Sequence, residues 1–229
     1  MLFKGFENNN LYNFYFFDFE MISQYSSHIK PGVLEIYTGP MKSSKTKRLV
    51  ARVDPLRFIN GAEFIFIRPQ IDTRADIIRE DPLVYDRWFF VHGDEQGALI
   101  SAVKPEHSLV AIDELQFFGL HIVSELEELL RKGVNVVGSG LDTNFRGEPF
   151  GQMGRLLCIA DEVRKKPAVC TYIKCGLPAT RTQRLIGGEP AGYNSPLILI
   201  EGVETDGKKV TYEPRCITHH IVPGKPRFI

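Results

Sequence analysis

The chain has 229 residues, with 28 lysines and arginines against 28 aspartates and glutamates, and a hydrophobic fraction of 43%. Zero formal net charge argues against the broad cationic footprint of a nucleic-acid binder, while leaving room for a local cluster that holds a few phosphates. No stretch is long and apolar enough to span a bilayer, so a membrane partner is not expected either, and the composition is that of a globular protein with a substantial core.

Residues 1–30 crowd aromatics among polar residues, and Asp18 and Glu20 interrupt the clean apolar run that a signal peptide needs. This head reads as an extension, disordered or created by a start assigned upstream of Met21. With no secretory signal the expected location is the cytoplasm, where cysteines serve in cores or on metals rather than in disulfides.

From residue 31 the pattern becomes regular. Residues 33–37 (VLEIY) form a short apolar run closed by Gly-Pro, a buried strand, and residues 45–58 carry Leu49, Val50, Val53 and Leu56 at helical spacing. Residues 63–68 (EFIFIR) predict a second strand that Pro69 ends, and the polar, turn-rich residues 70–87 a mobile loop. Residues 109–113 (LVAID) predict a third strand, 122–132 a helix stopped by Gly133, 134–141 a fourth strand and 153–160 a further helix in which Cys158 is apolar core. This alternation predicts an α/β fold, a mainly parallel sheet covered by helices on both faces. Near Ala168 cysteine, glycine and proline become frequent. The expected organisation is therefore an α/β domain over residues 31–168 and, over 169–229, a lobe too small to fold on its own core.

Between the first strand and its helix lies "GPMKSSKT", the outline of a phosphate loop with Ser44 in place of its second glycine. In such a loop successive N–H groups and the helix N-terminus converge on phosphate oxygens; Lys45 would reach the β- and γ-phosphates and Thr46 would bind Mg²⁺. If the Ser44 position has ordinary backbone angles the serine costs little; if φ is positive it costs roughly 1 kcal/mol or more. Lys42 either adds charge beside the nucleotide or points to solvent. The apolar run ending in Asp113 and Glu114 supplies the complementary acids, Asp113 for Mg²⁺ and Glu114 free to act as general base. Cys170 and Cys175, followed by Cys216 and His219, have the pairing of a closed tetrahedral zinc site, with His220 as the other candidate for the fourth ligand.

Together with "IDELQFF", "GLDTNFRGEPFG", "ADEVRKKPAVC", "ATRTQRLI" and "YEPRC", in that order along residues 32–225, these motifs closely resemble the cytosolic, zinc-containing thymidine kinases of bacteria and animals. The resemblance implies a P-loop NTPase-like domain, a zinc-binding lobe whose lasso (residues 187–212) closes over the nucleoside, and ATP-dependent phosphorylation of the thymidine 5′-hydroxyl. It implies ATP contacts from Gly39, Pro40, Met41, Lys42, Ser43, Ser44, Lys45 and Thr46, and from Asp113, Glu114, Leu115 and Gln116, with Glu114 as catalytic base. Asp72 and Arg74 match a segment near the phosphates. Met41, Phe117, Leu141 and Phe145 match the walls of the thymine pocket, Thr182 touches the base, and Tyr212 holds it with the lasso main chain. Structural zinc on Cys170, Cys175, Cys216 and His219, a homotetramer and feedback inhibition by thymidine triphosphate are implied as well.

The chain departs from the family pattern at Lys42, commonly aromatic, at Ser44, commonly glycine, and at Leu115, commonly small. Two residues are added within "CTYIKC", and the lasso is lengthened around "ETDGKK". None of these removes Lys45, Thr46, Asp113 or Glu114. Leu115 and the lasso motivate one alternative, a deoxynucleoside kinase of shifted base preference; Lys42 and Ser44 motivate another, a non-catalytic nucleotide-binding regulator.

Overall fold

The computed structural model describes residues 32–71 and 88–226, which belong to one compact unit, Gly32–Ile229. The head and most of the expected mobile loop, with Asp72 and Arg74, lie outside the described residues. Six strands, β1 (Leu34–Thr38), β2 (Phe64–Pro69), β3 (Trp88–Val91), β4 (Leu109–Ile112), β5 (Asn135–Gly140) and β6 (Glu162–Lys165), pair in parallel in the order β3-β2-β4-β5-β1-β6. Side chains alternate across this sheet, so each face needs its own cover. Leu49 and Val53 of α1 (Lys45–Val53) pack with Tyr37, Phe64, Phe66 and Val137 on one face. On the other, Ile36, Ile67, Val110 and Ile112 meet Leu99 of α2 (Ala98–Ala102), Leu126 of α3 (Ile122–Arg131) and Leu156 of α4 (Met153–Ile159). Among the described residues no helix is long and apolar enough to cross a membrane.

The helix expected over residues 45–58 stops at Val53, and Asp54–Phe58 continue as a 3₁₀ turn. Pro55 is the reason, because it has no N–H for the helical ladder. Cys158 is not core as expected but exposed; it lies two residues beyond Leu156, hence on the opposite side of α4.

After β6 the chain turns antiparallel. β7 (Ala168–Val169) and β8 (Pro178–Ala179) make a small ribbon, and β9 (Arg181–Ile186), β10 (Glu189–Pro190), β11 (Glu204–Thr205) and β12 (Lys208–Arg215) a four-stranded sheet in the order β10-β9-β12-β11. The "ETDGKK" insertion is the β11–β12 hairpin, with Thr205 opposite Lys208 and a turn of Asp206 (φ 51°) and Gly207 (φ 69°). Two left-handed residues are what a tight two-residue hairpin turn requires.

Candidate active site

The phosphate loop leaves the carboxyl end of β1, where open parallel sheets place their ligands. Gly39 has φ +142°, and a Cβ there would sit 2.1 Å from the Lys166 carbonyl oxygen. Lys42 (φ 63°) and Ser44 (φ 60°) are both left-handed, a twist that turns main-chain N–H groups into an anion-binding nest. The serine therefore stands where glycine is the relaxed choice, at a cost of about 1 kcal/mol. The buried Lys45 ammonium donates to the Pro40 carbonyl at 2.8 Å, which also accepts from the Ser43 hydroxyl at 2.8 Å.

Beside the loop, β4 delivers the two acids. Asp113 is 1% exposed and accepts from Thr46 Oγ1 at 3.0 Å, from Arg68 Nη2 at 3.2 Å and from the Ser139 hydroxyl. A threonine hydroxyl against a carboxylate is an oxygen donor set that suits Mg²⁺. Glu114 is left-handed too (φ 57°), which turns the acid after Asp113 toward the cavity. Gln116 fixes it: its amide nitrogen donates to the Glu114 carboxylate, while its Oε1 accepts from Leu141 N at 2.9 Å. Gly140 leaves the room for that amide, since a Cβ there would lie 2.7 Å from Gln116 Oε1. Leu115 faces the core, where a Cβ on Gly138 would come within 2.4 Å of its Cδ1.

The loop and Glu114 open onto one cavity of about 390 Å³. Met41, Lys42, Ser44, Lys45, Thr46 and Glu114 line it together with Phe117, Leu141, Phe145, Thr182, Arg184, Tyr212 and residues 197–201. Thr182 Oγ1 accepts from Met41 N at 3.0 Å, tying the small sheet to the phosphate loop. Burial pushes the Tyr212 phenol up, so at neutral pH it keeps the proton it donates to the Leu199 carbonyl at 2.7 Å. Sequence reasoning missed Arg68, Ser139 and Arg184, side chains whose partners come from distant strands and loops. A charged residue inside an otherwise apolar strand, as in "FIFIRP", was the available signal.

The ligating atoms of Cys170, Cys175, Cys216 and His219 lie within 4.8 Å of one another. Burial would raise the Cys170 thiol, but main-chain N–H groups of Cys216 and Tyr172, with the His219 ring, bring it down to about 6. Three clustered thiols and an imidazole fit a structural zinc ion. The Tyr172 ring, beside the expected two-residue insertion, stacks on His219 at 4.1 Å between centroids. His220 is engaged elsewhere, its Nε2 2.9 Å from the Phe145 carbonyl oxygen.

A phosphate cradle that borders an aromatic-walled cavity, with a carboxylate on its lining, is the construction of an α/β phosphotransferase. The family model for thymidine kinase matches residues 32–220. A thymidine kinase of Coprothermobacter proteolyticus is 43% identical over 194 residues, 85% of this chain and 93% of its own. One of Thermococcus kodakarensis is 40% identical over 202 residues, 85% of this chain and 96% of its own. The chain belongs to the thymidine kinase family.

Proposed function

We propose that this protein transfers the γ-phosphate of ATP to the 5′-hydroxyl of thymidine, with Glu114 as general base. The observation that carries this reading is one cavity lined both by Lys45, Thr46 and Glu114 and by Phe117, Leu141, Phe145 and Tyr212. A flat base held between apolar and aromatic walls would present its 5′-hydroxyl to Glu114, and the phosphate loop would hold ATP in line with it. The hydroxyl oxygen bonds to the γ-phosphorus as its proton passes to the Glu114 carboxylate; the bond to the β,γ-bridging oxygen breaks and ADP leaves. Lys45 exchanges the Pro40 carbonyl for phosphate oxygens and stabilises the charge that spreads over them. Thr46 and Asp113 would hold Mg²⁺, which would supply further neutralisation of the phosphates. Gln116 keeps the base oriented, and residues 187–212 exclude water from above.

Zinc on the four-residue cluster, a homotetramer, feedback inhibition by thymidine triphosphate and a cytoplasmic location belong to the same reading. The test is ATP turnover with and without thymidine, in Mg²⁺, on zinc-loaded protein. Thymidine-dependent formation of ADP and thymidine monophosphate is expected. Folded, zinc-loaded protein that binds thymidine nucleotides but never turns over would overturn catalysis in favour of a sensor. A clear preference for deoxycytidine or deoxyuridine would overturn the choice of base.

A further inference from the structure

Arg184, on β9, is 2% exposed, and no carboxylate pairs with it among the described residues. Burying a cation without a counter-charge is costly unless dipoles replace the lost water. Here they come almost wholly from the lasso and its neighbours. Nε donates to the Tyr212 hydroxyl at 2.9 Å, Nη2 to the Leu197 carbonyl at 2.6 Å, and Nη1 to the Pro196 carbonyl, with Ser195 Oγ at 3.4 Å. The guanidinium lies 3.8 Å from the centroid of Phe145, a wall of the cavity. Tyr212 extends the arrangement by donating to the Leu199 carbonyl.

Arg146 holds the Ser195 carbonyl at 3.0 Å and Gly202 N bonds the Val210 carbonyl at 2.9 Å, but between them Leu197, Ile198 and Ile200 remain 39%, 44% and 47% exposed, so apolar burial does not anchor residues 196–200. The pinning also decides which main-chain groups remain for an occupant. Carbonyls of Pro196, Leu197 and Leu199 are taken by the two side chains, and that of Ile200 by Val203 N at 3.3 Å. Among the described residues, nothing bonds the N–H groups of residues 198–201 or the Ile198 carbonyl. The Glu201 carbonyl has no donor among them either, so that edge offers four N–H donors and two acceptors, at Ile198 and Glu201. A 2,4-dioxopyrimidine offers two carbonyls flanking one N–H, its complement. An aminopyrimidine exchanges a carbonyl for an amino group and leaves a donor facing a donor, provided that the backbone cannot slide by a residue.

We propose that Arg184 is the positioning residue that fixes the register of the lasso backbone and thereby selects a 2,4-dioxopyrimidine nucleoside over an aminopyrimidine one. The proposal rests on the thymidine reading above, so wild-type turnover with thymidine and with deoxycytidine is measured first; absence of thymidine turnover rejects that reading, whatever Arg184 does. In an active background, Arg184→Met should raise the KM for thymidine about tenfold to a hundredfold and lower the thymidine-to-deoxycytidine ratio of kcat/KM at least about tenfold, with the KM for ATP and the zinc content unchanged. Arg184→Lys keeps the charge but lacks the planar fork, and should restore little of the ratio. If the methionine variant does not fold, both readings are taken on the lysine variant. In Arg184→Ala, millimolar methylguanidine should recover part of the thymidine affinity and of the base preference together. Hydrogen exchange at residues 195–201 should quicken in the variants while β1, β4 and β5 stay protected. A folded variant with unchanged thymidine KM and unchanged base ratio overturns the proposal. So does a loss confined to kcat and equal for both nucleosides, which would place Arg184 in phosphoryl transfer instead.

Discussion

Ser44 and Glu114 hold backbone angles that a Cβ resists, with φ of 60° and 57°. Such strain persists only where surrounding contacts over-determine it, and both residues border the same cavity. For Glu114 the strain turns a carboxylate into the cavity, where Gln116 holds it. Glu114→Gln keeps the shape and removes the proton acceptor. It should lower kcat by about 10²- to 10⁴-fold while leaving ATP affinity nearly unchanged, as turnover and equilibrium binding would measure. For Ser44 only the N–H is needed by the proposed chemistry. Ser44→Gly relieves about 1 kcal/mol of strain, and the greater freedom of glycine in the unfolded chain cancels roughly half of that. Urea unfolding should show a gain of about 0.5 kcal/mol. A loss of more than about 1 kcal/mol would mean that the serine side chain holds the loop together. Leu115 is a departure of another kind, since Gly138 opposite supplies the space that its larger side chain fills.

Among the elements, the β1–loop–α1 unit was legible because its signals are local: an apolar run, a Gly-Pro break, then helical spacing. The same locality made Lys45, Thr46, Asp113 and Glu114 readable, each lying at the end of a run that a strand or helix must bury. Elements at the margins were not legible. β6 reads EVRK, as an edge strand can, because little of it is buried, and the two-residue strands of the small ribbon carry too few residues for a period. The β11–β12 hairpin is different, for Asp206-Gly207 is a strong turn signal and was available in the lasso insertion. Arg184 could not be found locally, because its partners lie 11–28 residues away. The sharpest demand on an element junction falls on Gly39. Any side chain there meets both a glycine-only φ and the backbone carbonyl of Lys166, which has no rotamer to yield. Gly39→Ala should therefore destabilise the fold by at least about 2 kcal/mol in denaturant titration and weaken ATP binding, in contrast to the mild effect at Ser44.

Across the whole molecule, the cluster of Cys170, Cys175, Cys216 and His219 and the cavity proposed for the nucleoside are joined by a short stretch of chain. His219 belongs to the cluster, and the next residue, His220, meets the Phe145 carbonyl at 2.9 Å. Ile221 exchanges two bonds with the Gln183 side chain at 2.8 and 2.9 Å, Pro223 accepts from Tyr193 N at 2.8 Å, and Lys225 donates to the Arg146 carbonyl. Residues 220–225 thus fasten the cavity loop around Phe145 to β9, and their starting point is set by a cluster that has almost no apolar core of its own. With zinc bound as proposed, a lobe of that kind would depend on the metal for order, as small metal-stapled domains do. Cys216→Ser, or removal of zinc by a strong chelator, should consequently act at a distance. Hydrogen exchange should quicken first in the β7–β8 ribbon and residues 217–225, then in the lasso, while the six-stranded sheet keeps its protection. The KM for thymidine should rise by about tenfold with the KM for ATP little changed, because the phosphate loop belongs to the sheet. Uniform loss of protection across both sheets would mean that the two fold as a single cooperative unit. A Cys216→Ser protein that retains a full equivalent of zinc and unchanged thymidine affinity would reject the metal assignment.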